Sequence, residues 1–290
     1  MWGHTRFAGA VTGLLTAACL LAIAAPANAS PTQTASAPGG VAALGAELAN
    51  ATTGAVLWSR GAQTQRPMGS IAKVMTAYIV IEEGGLNRAF TVPKGIIGYD
   101  HKFSASTAGL VPGERYTALQ LLYAMLLPSG CDAAFTLADM YGPGTNQFIA
   151  KMNTTAKKLG LTRTRFTDFS GLPDPTETST YSTPRDLVTL GRDAMKLALF
   201  RQIVALKTYS LAADRWHGPH TWTNLNDLLW SYQGAIGIKT GQTKDAGACL
   251  LFEARRGSKT LIGVVLHSKA TTLSPAFSDA TTMLNWGFKQ

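Results

Sequence analysis

The chain changes its pattern twice, and that double change limits its fold more than any other feature. Val41 to Leu48 and Ala55 to Trp58 are short apolar runs separated by Asn50-Ala51-Thr52-Thr53-Gly54, the composition of a hairpin turn. Strand-like segments return only after Trp230, as Gly234 to Thr240, Ala246 to Ala254 and Lys259 to His267. Between them the spacing is helical. From Ser70, residues Ile71, Val74, Met75, Tyr78 and Ile79 mark one buried stripe that starts at Ser70 and stops at Gly84-Gly85. Leu119 to Leu127, Asp132 to Met140, Asn146 to Leu159 and Pro184 to Leu197 continue the pattern, separated by Pro128, Gly142-Pro143-Gly144 and Gly171-Leu172-Pro173. A last helix covers Pro275 to Trp286. These segments predict an α+β fold, with one antiparallel sheet built from both chain ends, flanked by helices, and a mostly helical lobe inserted between them. The sheet lobe takes residues 41–83 and 222–290 and the helical lobe 84–221, which leaves a cleft between lobes as the place for a ligand.

The first residues give an address. Arg6 precedes an apolar run from Phe7 to Ala25, and Ala27-Asn28-Ala29 follows, so residues 1–29 read as a signal peptide cleaved after Ala29. Residues 30–40 form a flexible polar lead-in, and no later stretch is apolar enough to span a membrane. With 46% apolar and 15% charged residues the chain is a folded protein, and its net charge of +9 suits a polyanionic neighbour such as a membrane or wall polymer. Export and the scattered cations argue against nucleic acid. Cys131 and Cys249 remain after cleavage; Cys249 reads as a small buried apolar residue in a strand, not half of a bridge.

Three short clusters carry chemistry. Ser70-Ile71-Ala72-Lys73 sets a hydroxyl and an amine on one helix face, so that the amine can take the hydroxyl proton while the helix N-terminus favours negative charge. Ser129-Gly130-Cys131 presents a hydroxyl on the corner between two helices. Lys239-Thr240-Gly241 ends a strand, where Gly237 and Gly241 flank Lys239 and leave room for an extended peptide whose carboxylate Lys239 and Thr240 would receive. Singly, each has an ordinary structural explanation: a helix cap with a solvated lysine, an N-cap, a turn glycine. The three together, in that order and setting, are rare by chance.

With these clusters the chain resembles the penicillin-binding serine D,D-peptidases, specifically the low-molecular-mass D-alanyl-D-alanine carboxypeptidases, over nearly all of residues 40–290. Leu126 to Ala134, Leu159-Gly160-Leu161, Ser182 to Asp186, Gly237 to Leu250 and Trp286-Gly287-Phe288 look like that family too. The resemblance implies a D,D-peptidase catalytic domain over residues 41–290, acting outside the cytoplasm at the cell wall or outer-membrane surface. It implies an acyl-enzyme mechanism on peptidoglycan stem peptides ending in D-Ala-D-Ala, with Ser70 as nucleophile, Lys73 as base, and Ser129 as proton relay assisted by Lys239. The backbone N–H groups of Ser70 and Gln242 would form the oxyanion hole, with Cys131, Thr240 and Gly241 completing substrate binding. No cofactor or metal is implied, and β-lactams would acylate the same serine.

Three departures stand out. Cys131 occupies the family's usual Asn position; Ala276 lies where many members carry a carboxylate-binding Arg, a role left to Lys269 or Thr243; and the chain ends four residues after Trp286, short of the additional domain and amphipathic anchor of many members. A transpeptidase, or a weakly active penicillin-binding wall module, is the alternative. A class A β-lactamase would need a Glu-x-x-Leu-Asn segment, which is missing, and Glu177 sits in a different sequence setting. The histidine pair His217 and His220 lacks a third ligand nearby and reads as loop residues.

Overall fold

In a computed structural model the chain is described over residues 37–269 and 272–290. The segment read as a signal peptide and residues 30–36 of the lead-in lie outside these residues. The chain runs through β1 (Gly45–Asn50), β2 (Val56–Arg60), β3 (Arg66–Pro67), a 3-10 turn (Gly69–Ala72), α1 (Lys73–Glu83), β4 (Ala89–Thr91), α2 (Gly95–Phe103) and β5 (Arg115–Thr117). It continues through α3 (Ala118–Leu126), α4 (Cys131–Tyr141), α5 (Thr145–Lys158), β6 (Tyr181–Ser182), α6 (Pro184–Ala194), α7 (Ala198–Val204), and the hairpin of β7 (Thr208–Leu211) and β8 (His220–Thr223). Last come α8 (Leu228–Ser231), β9 (Ala235–Thr243), β10 (Gly247–Arg256), β11 (Lys259–Leu266) and α9 (Ser274–Gly287).

The main sheet has the order β2-β1-β11-β10-β9 and is antiparallel at every pairing, so both chain ends contribute to it. Alternation along β10 decides its layers. Ala248, Leu250, Phe252 and Ala254 pack with Ala276, Ala280, Met283 and Leu284 of α9, while Cys249 and Leu251 face the larger core with α1, α3 and α6. β9 is an edge strand, with one row of backbone groups unpaired by the sheet.

The expected helices appear within a residue or two, except that the one expected from Ser70 starts three residues late and α6 ends at Ala194, three residues early. Their ends have local causes. Thr117 and Gln120 form a reciprocal capping box on α3, and Thr183 caps α6 through the Asp186 N–H with Pro184 in the first turn. Several boundaries differ. The first strand begins at Gly45, because the preceding Ala42 and Ala43 N–H groups are held by the Asp279 carboxylate at 2.7 and 2.8 Å and not by a neighbouring strand. The helix expected from Ser70 starts at Lys73; Ser70 lies in the 3-10 turn, with no side-chain cap. Lys239-Thr240-Gly241 lies inside β9 and not at its end, since the pairing with β10 continues to Thr243. α2 buries Ile96 and half-buries Tyr99 and Phe103 on one face, a stripe too short, and interrupted by Gly98, to mark a helix in sequence.

Candidate active site

The 3-10 turn is set against β9 by glycines. A Cβ on Gly69, which has φ +53°, would come 2.6 Å from the Gln242 nitrogen, and one on Gly241 would overlap the Met68 carbonyl oxygen. The missing side chains let the backbone carrying Ser70 lie against the strand carrying Lys239 and Gln242. Ser70 is half-buried and opens on a cleft of about 420 Å³, lined also by Ser129, Thr240, Gly241, Gln242 and Thr243.

One turn further along, Lys73 is completely buried and its Nζ has three acceptors: Ser70 Oγ at 2.8 Å, Cys131 Sγ at 3.2 Å and the Ser170 carbonyl at 3.1 Å. An ammonium has three hydrogens, so this set uses its full donor capacity. The neutral amine has a lone pair free for the Ser70 proton, which is the property a general base requires.

Ser129 stands at φ 64°, in the left-handed region where few side-chain-bearing residues sit. It is not the helix cap; Gly130 precedes α4 and makes no side-chain cap. The corner is braced from the 105–110 segment: Ser106 Oγ donates to the Ser129 carbonyl at 2.8 Å, and Cys131 N–H to the Ser106 carbonyl at 2.8 Å. The buried Asp132 carboxylate collects the N–H groups of Ala108, Leu110 and Ala133 at 2.8–3.0 Å, fixing that segment to the start of α4. Ser106 gave no sequence signal, and Asp132 none beyond its nearness to Ser129.

Lys239 is 1% exposed, and its Nζ reaches the Thr240 carbonyl at 3.2 Å and Oγ1 at 3.4 Å. Burial, then the charge of Lys73, hold its ammonium well below the usual lysine range, with Cys131 acting in the opposite direction. Two buried lysines thus lie behind one cleft, where an arriving negative charge would favour the proton on Lys239.

The remaining expectations separate. Thr243 lines the cleft and Lys269 does not, while Ala276 is buried under the sheet. Cys131 and Cys249 are buried free thiols. Glu177 also lines the cleft, where its Oε2 accepts weakly from Asp245 N–H at 3.4 Å; among the described residues no carboxylate is a hydrogen-bond partner of Lys73 or Ser70. Of the histidines, His217 lies in the β7–β8 loop as expected, and His220 is in a strand. His217 is buried and stacks on Tyr116 at 4.6 Å, and His220 opens β8 with its Nε2 2.7 Å from the Tyr116 hydroxyl, so both belong to aromatic packing. Among the described residues no group of three His, Cys, Asp or Glu side chains could hold a metal ion, and no helix is long and apolar enough to cross a membrane.

Fold and side-chain cluster define a serine-type peptidase of the penicillin-binding class. The sequence profile of the family described as D-alanyl-D-alanine carboxypeptidase matches residues 31–270, and the chain belongs to that family. It is 41% identical to a D-alanyl-D-alanine carboxypeptidase of Streptomyces sp. strain K15 over 98% of this chain and 99% of that protein. To the D-alanyl-D-alanine carboxypeptidase DacB2 of Mycobacterium tuberculosis it is 37% identical, over 83% of this chain and 80% of the relative. The crystal structure of the Streptomyces K15 DD-transpeptidase superposes with a TM-score of 0.80 at 42% identity, covering 86% of this chain and 98% of that one.

Proposed function

We propose that residues 41–290 form a catalytic domain that cleaves the terminal D-Ala from peptidoglycan stem peptides ending in D-Ala-D-Ala, through an acyl-enzyme on Ser70. The observation that carries this reading is the 2.8 Å contact between the buried Lys73 amine and Ser70 Oγ at the floor of the cleft. The peptide lies extended along β9, whose free edge and Gly241 accept its backbone. Its terminal carboxylate meets Thr240 and Lys239, and that negative charge restores the proton that burial disfavours on Lys239.

Lys73 takes the Ser70 proton as Oγ attacks the penultimate D-Ala carbonyl. The N–H groups of Ser70 and Gln242 receive the developing oxyanion, a contribution of about 3 kcal/mol per donor in comparable sites. Ser129, assisted by Lys239, passes a proton to the leaving D-Ala nitrogen. Water then releases the acyl group. An amine from a second stem peptide gives a cross-link instead, and the partition between the two acceptors is where Cys131 acts. β-Lactams present a strained amide to the same serine and acylate it. Residues 1–29 export the protein, which places the site outside the cytoplasm beside its polymeric substrate.

The test is direct. The mature chain, incubated with a D-Ala-D-Ala-ended peptide, releases D-Ala and carries benzylpenicillin as a mass adduct on the peptide containing Ser70. Neither event occurs with Ser70→Ala. D-Ala release that survives Ser70→Ala removes the mechanism, and adding an amine acceptor separates hydrolysed from transferred product.

A further inference from the structure

The third acceptor of Lys73 is a backbone carbonyl, at Ser170, and the loop that carries it is held by a device outside the motif residues. Asp168 is 2% exposed and its carboxylate accepts from four donors: Tyr99 O–H at 2.6 Å, Ser170 N–H at 2.8 Å, Ser170 O–H at 2.8 Å and Leu172 N–H at 2.9 Å. Tyr99 Oη is also 2.6 Å from Ser170 Oγ, so two hydroxyl protons serve three oxygen–oxygen contacts that close on Ser170. The Tyr99 ring is locked against Phe169, Phe103 and Phe135 at centroid distances of 5.1–5.4 Å. Burial, followed by the charge of Asp168, pushes the phenol well above its usual range, so it remains a donor. Thr76, one turn beyond Lys73 on α1, donates to the neighbouring Phe169 carbonyl at 2.6 Å.

We infer that Tyr99 and Asp168 are positioning residues for the acyl-transfer reaction: they clamp Ser170 so that its carbonyl fixes the Lys73 amine on Ser70. The inference rests on Lys73 being the base. The other two acceptors are poor fixtures. One is the nucleophile itself, whose oxygen must leave the lysine's line as it attacks, and the other is a thiol, a weak acceptor where a side-chain amide would be a strong one. The Ser170 carbonyl is the partner that neither reacts nor yields. The loop has independent anchors, because Thr180 Oγ1 accepts the N–H groups of Thr167 and Asp168 at 3.0 and 3.2 Å and Thr76 holds Phe169. Three of the four bonds to Asp168 instead come from Ser170, whose carbonyl meets Lys73, and from Tyr99, which also contacts Ser170. The clamp also ties α2, whose C-terminal Phe103 lines the cleft, to the base on α1.

The experiment measures Ser70 acylation by benzylpenicillin at several concentrations, by quenched mass spectrometry, and separates the affinity of the non-covalent complex from the acylation rate constant. Tyr99→Phe keeps the aromatic packing and lowers the rate constant about 5-fold; Asp168→Asn lowers it about 10- to 100-fold, and the affinity moves by less than about 2-fold in both. Because both act through one carbonyl, the double variant is no slower than Asp168→Asn alone. Folded variants that acylate within about 2-fold of the wild type, an affinity that weakens by the factor the rate loses, or losses that multiply in the double variant overturn the clamp. Should Asp168→Asn fail to fold, Tyr99→Phe decides by itself. A wild-type chain that forms no adduct on Ser70 fails the proposed function, and the clamp with it, whereas a normal wild type with unaffected variants fails the clamp alone.

Discussion

At the scale of single residues, Cys131 is the informative position. Its sulfur accepts from Lys73 at 3.2 Å and lies 3.9 Å from Ser106 Oγ, so it joins the base to the segment that braces Ser129. An Asn there would offer Lys73 a stronger acceptor and the substrate an amide donor, which sulfur cannot supply. One such hydrogen bond is worth about 1 kcal/mol, or about 5-fold in a ratio of rates. Cys131→Asn is therefore expected to raise hydrolysis relative to transfer by about that factor, read as D-Ala release with and without an amine acceptor; an unchanged partition refutes the role given to the thiol. The residue scale is also where the sequence was most legible. Of the residues singled out by spacing and resemblance, Ser70, Ser129, Thr240, Gly241 and Gln242 line one cleft, and Lys73, Cys131 and Lys239 are buried, Lys73 in contact with Ser70 and Cys131 and Lys239 in contact with Thr240. Tyr99 and Asp168 gave no such signal, since a tyrosine in a short helix and an aspartate in a loop have many uses.

Among elements, the contact between β9 and the 3-10 turn carries the site. The Met68 carbonyl and the Ile71 N–H crowd the space where a Gly241 side chain would stand, so no larger residue fits without separating Ser70 from the strand. Gly241→Ala is expected to lower Ser70 acylation more than about 10-fold and to cost about 1–3 kcal/mol of stability. Gly257 in the β10–β11 turn provides the control: at φ +59° it has open space around it, so Gly257→Ala costs about 1–2 kcal/mol of backbone strain and leaves acylation unchanged. Denaturant unfolding and adduct formation measured on both variants check the pair, and equal activity losses in the two exclude the contact as the cause. The same interface explains a difference from the sequence reading. Helical periodicity starts at Ser70, yet packing on the strand tightens the first turn and delays the α-helix to Lys73.

For the whole molecule, one buried acid sets a pH dependence apart from catalysis. Glu253 on β10 is 5% exposed, and burial pushes its carboxyl up to about 7 while the Arg201 charge pulls it the other way. Folded chains keep this proton up to about pH 7, whereas an unfolded glutamate releases it near 4.5, so stability falls as pH rises through that window. Glu253→Gln is expected to match the wild type near pH 5 and to exceed it at pH 8 by about 1–3 kcal/mol in urea unfolding. Asp100, which burial and the charge of Asp132 also push up to about 7 against the pull of Lys73, leaves some slope in that variant. A wild type equally stable at pH 5 and 8 contradicts the assignment.

Apolar spacing and turn residues alone determined the α+β class and the sheet drawn from both ends, because periodicity and backbone sterics act within a few residues. Folding decided what faces Lys73. The Ser170 carbonyl lies 97 positions away, and a carbonyl is identical at every residue, so no letter of the sequence marks the one that will be buried beside an amine. Only packing α1, α2 and the 168–172 loop together selects it.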